Sequence, residues 1–248
     1  MPRNLIITGA SRGIGAAVAL RAAQAGWNVA VNYNRDAAAA QAVVQQVQAL
    51  GRRALAVQAD VADEAQVLAM FAQVDREFGA LHGLVNNAGV VDLPARVDAM
   101  SVARLTRMFA INLVGSFVCA REAVLRMSTK HGGSGGVIVN LSSAAARLGS
   151  PGQYVDYAAA KAGIDTFTLG LAREVAAEGI RVNAVRPGII DTEIHASGGL
   201  PDRAAQVAPQ VPMQRAGSAD EVAQAVVWLL SDASSYSTGA VVDVTGGR

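Results

Sequence analysis

A chain of 248 residues that is 52% hydrophobic and 17% charged has the length of one large α/β domain and a composition that excludes a disordered protein. Its 21 basic and 20 acidic residues give a formal charge of +1 with no long basic run, which speaks against nucleic-acid binding. The single cysteine, Cys119, excludes an intrachain disulfide and reads as a small buried hydrophobe. The N-terminus carries no signal-peptide pattern and no apolar run reaches the ~18 residues of a membrane span, so a soluble cytoplasmic protein is expected.

Along the chain, short β-branched runs alternate with alanine-rich helical patterns. Strands are predicted over Leu5–Thr8, Val29–Tyr33, Ala54–Ala59, Gly83–Asn86, Val137–Leu141, Arg181–Val185 and Val241–Val244. Helices are predicted over Ile14–Ala25, Ala37–Leu50, Glu64–Phe78, Val102–Met127, Tyr157–Ala177 and Ala219–Ser231. Such alternation predicts a doubly wound parallel sheet of about seven strands covered by helices on both faces, and the nearly continuous apolarity of the strands agrees with it. His131–Gly136 reads as a flexible connector. The segment 191–215, with Pro201, Pro209 and Pro212, reads either as a lid over a site or as a surface excursion. His82, His131 and His195 are scattered without metal-ligand spacing, so no metal site is expected.

After the first strand come Gly9, Gly13 and Gly15, a turn tight enough to bring backbone N–H groups against a pyrophosphate at the start of a helix. An NAD site would place an acid at the tip of the second strand. Here that strand ends Asn32-Tyr33-Asn34-Arg35, and Arg12 lies in the glycine turn. Two guanidinium groups suit a 2′-phosphate and hence NADP(H), with NAD(H) possible; Asp36 is the alternative acid. Asp60 ends the third strand and either accepts from an adenine amino group or caps the next helix. Asn86-Asn87-Ala88-Gly89 closes the fourth strand at the edge where such sheets bind ligands.

Tyr157 and Lys161 stand four residues apart on a helix, on one face. A phenol titrates near 10, and a cation beside it favours the phenolate, so the pair is expected to have a depressed phenol pKa suited to proton exchange with a carbonyl or alcohol.

Thr8-Gly-Ala-Ser-Arg-Gly-Ile-Gly15, Asn86-Asn-Ala-Gly89, Asn112, Ser142-Ser143, Tyr157-x-x-x-Lys161 and Pro187-Gly-Ile-Ile-Asp-Thr192 occur in this order. Together they resemble a short-chain dehydrogenase/reductase over nearly the whole length, near the glucose 1-dehydrogenase and 3-oxoacyl thioester reductase members. The resemblance implies a single Rossmann-type domain over 1–248. It implies a catalytic set of Asn112 (water in a proton relay), Ser143, Tyr157 (acid/base) and Lys161, with Ser142 as the alternative serine. It implies a cofactor site formed by Gly9, Ser11, Arg12, Gly13, Ile14, Gly15, Asn32, Arg35, Asp60, Val61, Asn87, Ala88, Gly89, Tyr157, Lys161, Pro187, Gly188, Ile190 and Thr192. It implies a small-molecule carbonyl or alcohol substrate, no membrane or nucleic-acid partner, and a homotetramer. The activity expected is NADP(H)-dependent interconversion of a carbonyl and a secondary alcohol; a sugar dehydrogenase, a 3-oxoacyl thioester reductase and a non-catalytic NADP-binding regulator are the alternatives.

Overall fold

A computed structural model of the chain describes residues 3–248, apart from the side chain of His195. In chain order the elements are β1 (Arg3–Ile7), α1 (Gly13–Gln24), β2 (Trp27–Tyr33), α2 (Ala37–Ala49), β3 (Ala54–Gln58), α3 (Glu64–Phe78), β4 (Gly83–Asn86), α4 (Val102–Phe109), α5 (Gly115–Met127), β5 (Gly136–Leu141), α6 (Ala145–Leu148), α7 (Val155–Val175), β6 (Ile180–Pro187), β7 (Ile190–Asp191), α8 (Ile194–Ser197), α9 (Arg203–Val207), β8 (Gly217–Ser218), α10 (Ala219–Leu230) and β9 (Val241–Val244). Seven strands form one parallel sheet in the order β3-β2-β1-β4-β5-β6-β9. The order reverses between β1 and β4, which opens a crevice at the carboxyl edge there.

Alternation along β1 shows why both faces must be covered. Leu5 and Ile7 enter one core with Val18, Val43, Val226 and Leu229 of α1, α2 and α10. Ile6 enters the other with Val67, Phe71, Met127 and Val175 of α3, α5 and α7. Each such fully buried side chain contributes roughly 1.5–3 kcal/mol, so a strand buried on both faces binds the two helical layers into one body.

The predicted helix 102–127 is interrupted. A five-residue π turn, Ala110–Val114, separates α4 from α5. By length and composition alone, at mean hydropathy 1.5, Val102–Met127 is long and apolar enough for a span, more than the apolar runs of the sequence indicated. In the fold its apolar side is instead spent on the core, where Met108, Cys119, Ala123 and Met127 are buried. Segment 191–215 is not featureless; it holds α8, α9 and a 3₁₀ turn at Ala208–Gln210.

Candidate active site

The glycine turn joins β1 to α1 at the reversal point. Gly9 (φ 60°) and Gly13 (φ 54°) occupy the left-handed region that side chains disfavour. Gly15 is required by space: a Cβ there would lie 2.5 Å from Asn87 Nδ2 and from the Gly9 carbonyl. Neighbouring strands brace the turn. Asn87 Nδ2 donates to the Thr8 and Gly9 carbonyls at 2.8 and 2.9 Å, and Thr8 Oγ1 accepts from the Asn87 and Ala88 N–H groups. Asn32 Oδ1 accepts from Gly9 N, while its Nδ2 donates to the Val57 and Ala59 carbonyls. Asn32 is buried, and its side chain is engaged in bracing the glycine turn.

Helices α2, α3, α4 and α10 each begin with a side-chain cap, from Asp36, Asp63, Ser101 and Ser218. Helix α1 has none: Arg12 makes no capping bond and no acid occupies the first turn. Its opening N–H groups, with the positive end of the helix dipole, are thereby left for an external anion. The residues present therefore fit a dinucleotide pyrophosphate.

At the tips of β2 and β3 the acids are committed. Asp36 caps α2 through Ala39 N. Asp60 accepts from Ala62 N and from Asn34 Nδ2. Arg12 and Arg35 are both exposed. Val61 is buried behind the site, where a side chain at Gly115 would strike its carbonyl. Ile14 is packed partly against the core, and Ser11 sits half-buried in the turn.

The catalytic candidates converge from β5, α7 and the π turn. Alternation at the end of β5 sends the two serines apart. Ser142 is buried and its Oγ donates to the Lys161 carbonyl at 3.1 Å. Ser143 Oγ accepts from Ala145 N and is also a hydrogen-bond partner of the Tyr157 phenol. The structure thus puts Ser143 beside the phenol and uses Ser142 to hold the helix. Lys161 is 4% exposed; its Nζ donates to the Leu141 carbonyl at 2.7 Å and lies 5.7 Å from the Tyr157 ring centre. Burial pulls the Lys161 ammonium down to about 8, and Asp165 opposes that pull.

Burial holds the Tyr157 phenol above its ordinary value, and the bond from Ser143 draws it back only in part. This corrects the expectation of a depressed phenol. The Lys161 Nζ is hydrogen-bonded to the Leu141 carbonyl, and desolvation is the largest influence on the phenol.

Asn112 is fully buried in the π turn. Its Nδ2 donates to the Met108 and Val90 carbonyls and its Oδ1 accepts from Val90 N, fastening the loop after β4. Gly89 presses on this cluster: a Cβ there would lie 2.9 Å from Asn112 Oδ1 and 3.6 Å from Lys161 Nζ. The sequence alone did not single out Arg104 or Asp156. Arg104 Nε donates to Asp156 Oδ2 at 2.8 Å and its Nη1 to the Leu93 carbonyl, while Tyr157 N donates to Asp156 Oδ1. The pair ties the start of α7 to the loop over the cleft.

From β6, the Pro187 carbonyl accepts from Ala144 N and Gly188 N donates to the Val244 carbonyl. Ile190 is buried, and Thr192 reaches back to the glycine turn, 3.6 Å from where a Gly13 Cβ would stand. Further on, Gly198 packs on Val91, the Asp92 carbonyl and the Tyr154 hydroxyl. Segment 191–215 therefore crosses from the glycine turn to the loop after β4. The side chain of His195, within this segment, lies outside those described.

An anion-ready helix start and a half-buried Tyr157 beside buried Lys161, on one edge of a doubly wound sheet, define a nucleotide-dependent oxidoreductase. The profile of the family described as enoyl-(acyl carrier protein) reductase matches residues 9–248. The chain is 55% identical to the uncharacterized oxidoreductase YgfF of Escherichia coli K12, over 98% of each chain. It is 40% identical to the 3-oxoacyl-[acyl-carrier-protein] reductase FabG of Staphylococcus aureus, over all of this chain and 98% of that one. Among solved structures, a short-chain dehydrogenase of Burkholderia cenocepacia J2315 in complex with NADP superposes at a TM-score of 0.90, with 35% identity over 99% of this chain and 97% of that one. The chain belongs to the short-chain dehydrogenase/reductase family, and it is an NAD(P)-dependent oxidoreductase.

Proposed function

We propose that the protein interconverts a carbonyl and a secondary alcohol with NADP(H), using Tyr157 as the group that gives and takes the proton. The observation that carries this reading is the Tyr157 phenol partnered by Ser143 and backed by buried Lys161, on the edge that also holds the uncapped start of α1. Bound with its pyrophosphate at α1, the nicotinamide cofactor supplies or accepts the hydride. Ser143 and Tyr157 donate hydrogen bonds to the carbonyl oxygen, and Tyr157 delivers its proton as charge develops there. Lys161 stabilises the phenolate that remains. Asn112 and Gly89 hold the loop against the pair, and Pro187, Gly188 and Thr192 wall the nicotinamide side. Gly9, Gly13, Gly15, Ala88 and the braces Asn32 and Asn87 shape the pyrophosphate cradle. All of these groups in one place argue against a non-catalytic regulator.

Arg12 and Arg35 are exposed at the ribose end, and both nearby acids are committed to backbone and side-chain partners. That supports NADP(H) over NAD(H). The FabG relative supports a 3-oxoacyl thioester as one substrate class to try first. Titration of NADPH and NADH into wild type and Arg35→Ala, with turnover on 3-oxoacyl thioesters, ketones, aldehydes and sugars, tests the reading. NADPH is expected to bind on the order of 100-fold more tightly, and Arg35→Ala to lose about tenfold or more for NADPH alone. Equal affinity for the two cofactors would contradict the NADP(H) assignment.

A further inference from the structure

Asp165 is a buried carboxylate that the reaction as described does not use. It follows Tyr157 and Lys161 at successive four-residue steps on α7, so the three share one helical face. Its Oδ2 accepts from Arg186 Nε at 2.9 Å, and both side chains are mostly buried. Its Oδ1 is buried with no hydrogen-bond partner. Arg186 in turn reaches Asp243 Oδ1 at 3.3 Å, and Arg147 of α6 holds Asp243 Oδ2 at 2.9 Å. An alternating row of charges therefore leads from the active-site lysine to the surface.

A desolvated carboxylate oxygen without a hydrogen-bond donor is costly, and it persists where a nearby charge compensates it. The surroundings of Lys161 offer little else. From α7 come Tyr157 and Asp165; from β5, the Leu141 carbonyl and the Ser142 hydroxyl, which is turned to the Lys161 carbonyl; from the loop after β4 and the π turn, Gly89 and the amide of Asn112. Arg186 on β6 and Asp243 on β9 act on Asp165. Asp165 is the negative charge that works on the buried ammonium.

We propose that Asp165 is a positioning residue for the reaction: gripped by Arg186 one helical turn beyond Lys161 on the same face of α7, it keeps the buried Lys161 side chain charged beside Tyr157. The proposal rests on the reading of Tyr157 and Lys161 given above. Its consequence has a definite sign. Lys161 titrates before Tyr157 as pH rises, because burial lowers the one and raises the other. Without the Asp165 charge, burial acts on the ammonium unopposed, and Lys161 loses its proton at lower pH.

The test is the pH dependence of kcat/KM for NADPH-driven carbonyl reduction. In Asp165→Asn the alkaline limb is expected to move down by about one pH unit, with NADPH affinity close to wild type. Asp165→Glu, which restores the charge, is expected to return the limb most of the way. A limb that stays in place in Asp165→Asn, or that moves equally in Asp165→Glu, would overturn the proposal. Should Asp165→Asn not fold, the double variant Asp165→Asn/Arg186→Gln removes both charges of the pair together; a smaller shift in the same downward direction is expected, and an unmoved limb again overturns it. Lys161→Met separates the two levels of the argument. A loss of at least ~100-fold is expected, and near-normal turnover there would overturn the reading of the active site itself.

Discussion

Burial raises the Tyr157 phenol above its ordinary value, and Ser143 only partly offsets it. The protonated phenol is the form that donates to a carbonyl, whereas alcohol oxidation needs the phenolate. Reduction is therefore expected to run well at neutral pH and to decline on the alkaline side as Lys161 loses its charge, near 8, while oxidation rises with pH below that point; initial rates in both directions across pH check this, and an oxidation rate that falls between neutral pH and that point would contradict it. The two serines should part company. Ser143→Ala removes a donor at the reacting oxygen and is expected to lower kcat by on the order of 100-fold. Ser142→Ala removes a buried bond to the Lys161 carbonyl and is expected to cost about 1 kcal/mol of stability, with a much smaller effect on kcat; denaturant melts beside steady-state rates distinguish them. Tyr157 and Lys161 were legible in the sequence because a four-residue step has one geometric meaning on a helix. The task of Asn32 was not, because its partners Gly9, Val57 and Ala59 come from three other segments. The direction of the Tyr157 shift was hidden for a similar reason: it depends on burial and on Ser143, which other segments supply.

At the scale of elements, the start of α1 and the start of α7 do most to place the site. Gly15→Ala would drive a methyl group into Asn87 Nδ2 and the Gly9 carbonyl. A cost of roughly 1–3 kcal/mol is expected for such overpacking, together with weakened NADPH binding, read by thermal melts and cofactor titration. Arg104→Leu would strand the fully buried Asp156 carboxylate next to Tyr157 N. A loss of about 3–5 kcal/mol is expected for breaking a buried pair on one side; an unchanged melting temperature would show that the pair carries no weight. Helix and strand locations were readable from hydrophobic period, and Glu64–Phe78, Gly83–Asn86 and Val241–Val244 lie where that period puts them. The π turn at Ala110–Val114 was not, since the apolar pattern runs through it without a glycine or proline. The turn coincides with a tertiary contact that the pattern cannot show: Asn112 within it bonds Val90 of the loop after β4.

For the whole molecule, the parallel sheet and two-faced core follow from strand–helix alternation, but the surfaces left over do not. An apolar groove of about 780 Å³ runs between α5 and α7, with Phe117, Leu125 and Phe167 along it. The Phe117 ring stacks on Phe167 at 3.7 Å while remaining 45% exposed. A closed homotetramer that covers these helices is the expected assembly. Light scattering should give a tetramer mass for wild type and a smaller species for Phe117→Glu; a monomeric wild type at micromolar concentration would contradict it. The central claim, that Tyr157 moves the proton in an NADP(H)-dependent carbonyl reduction, meets its most direct test in Tyr157→Phe. With a substrate that wild type turns over, the account predicts NADPH binding within about threefold of wild type and a kcat lower by at least ~100-fold. Tight NADPH binding together with near-normal kcat would contradict it.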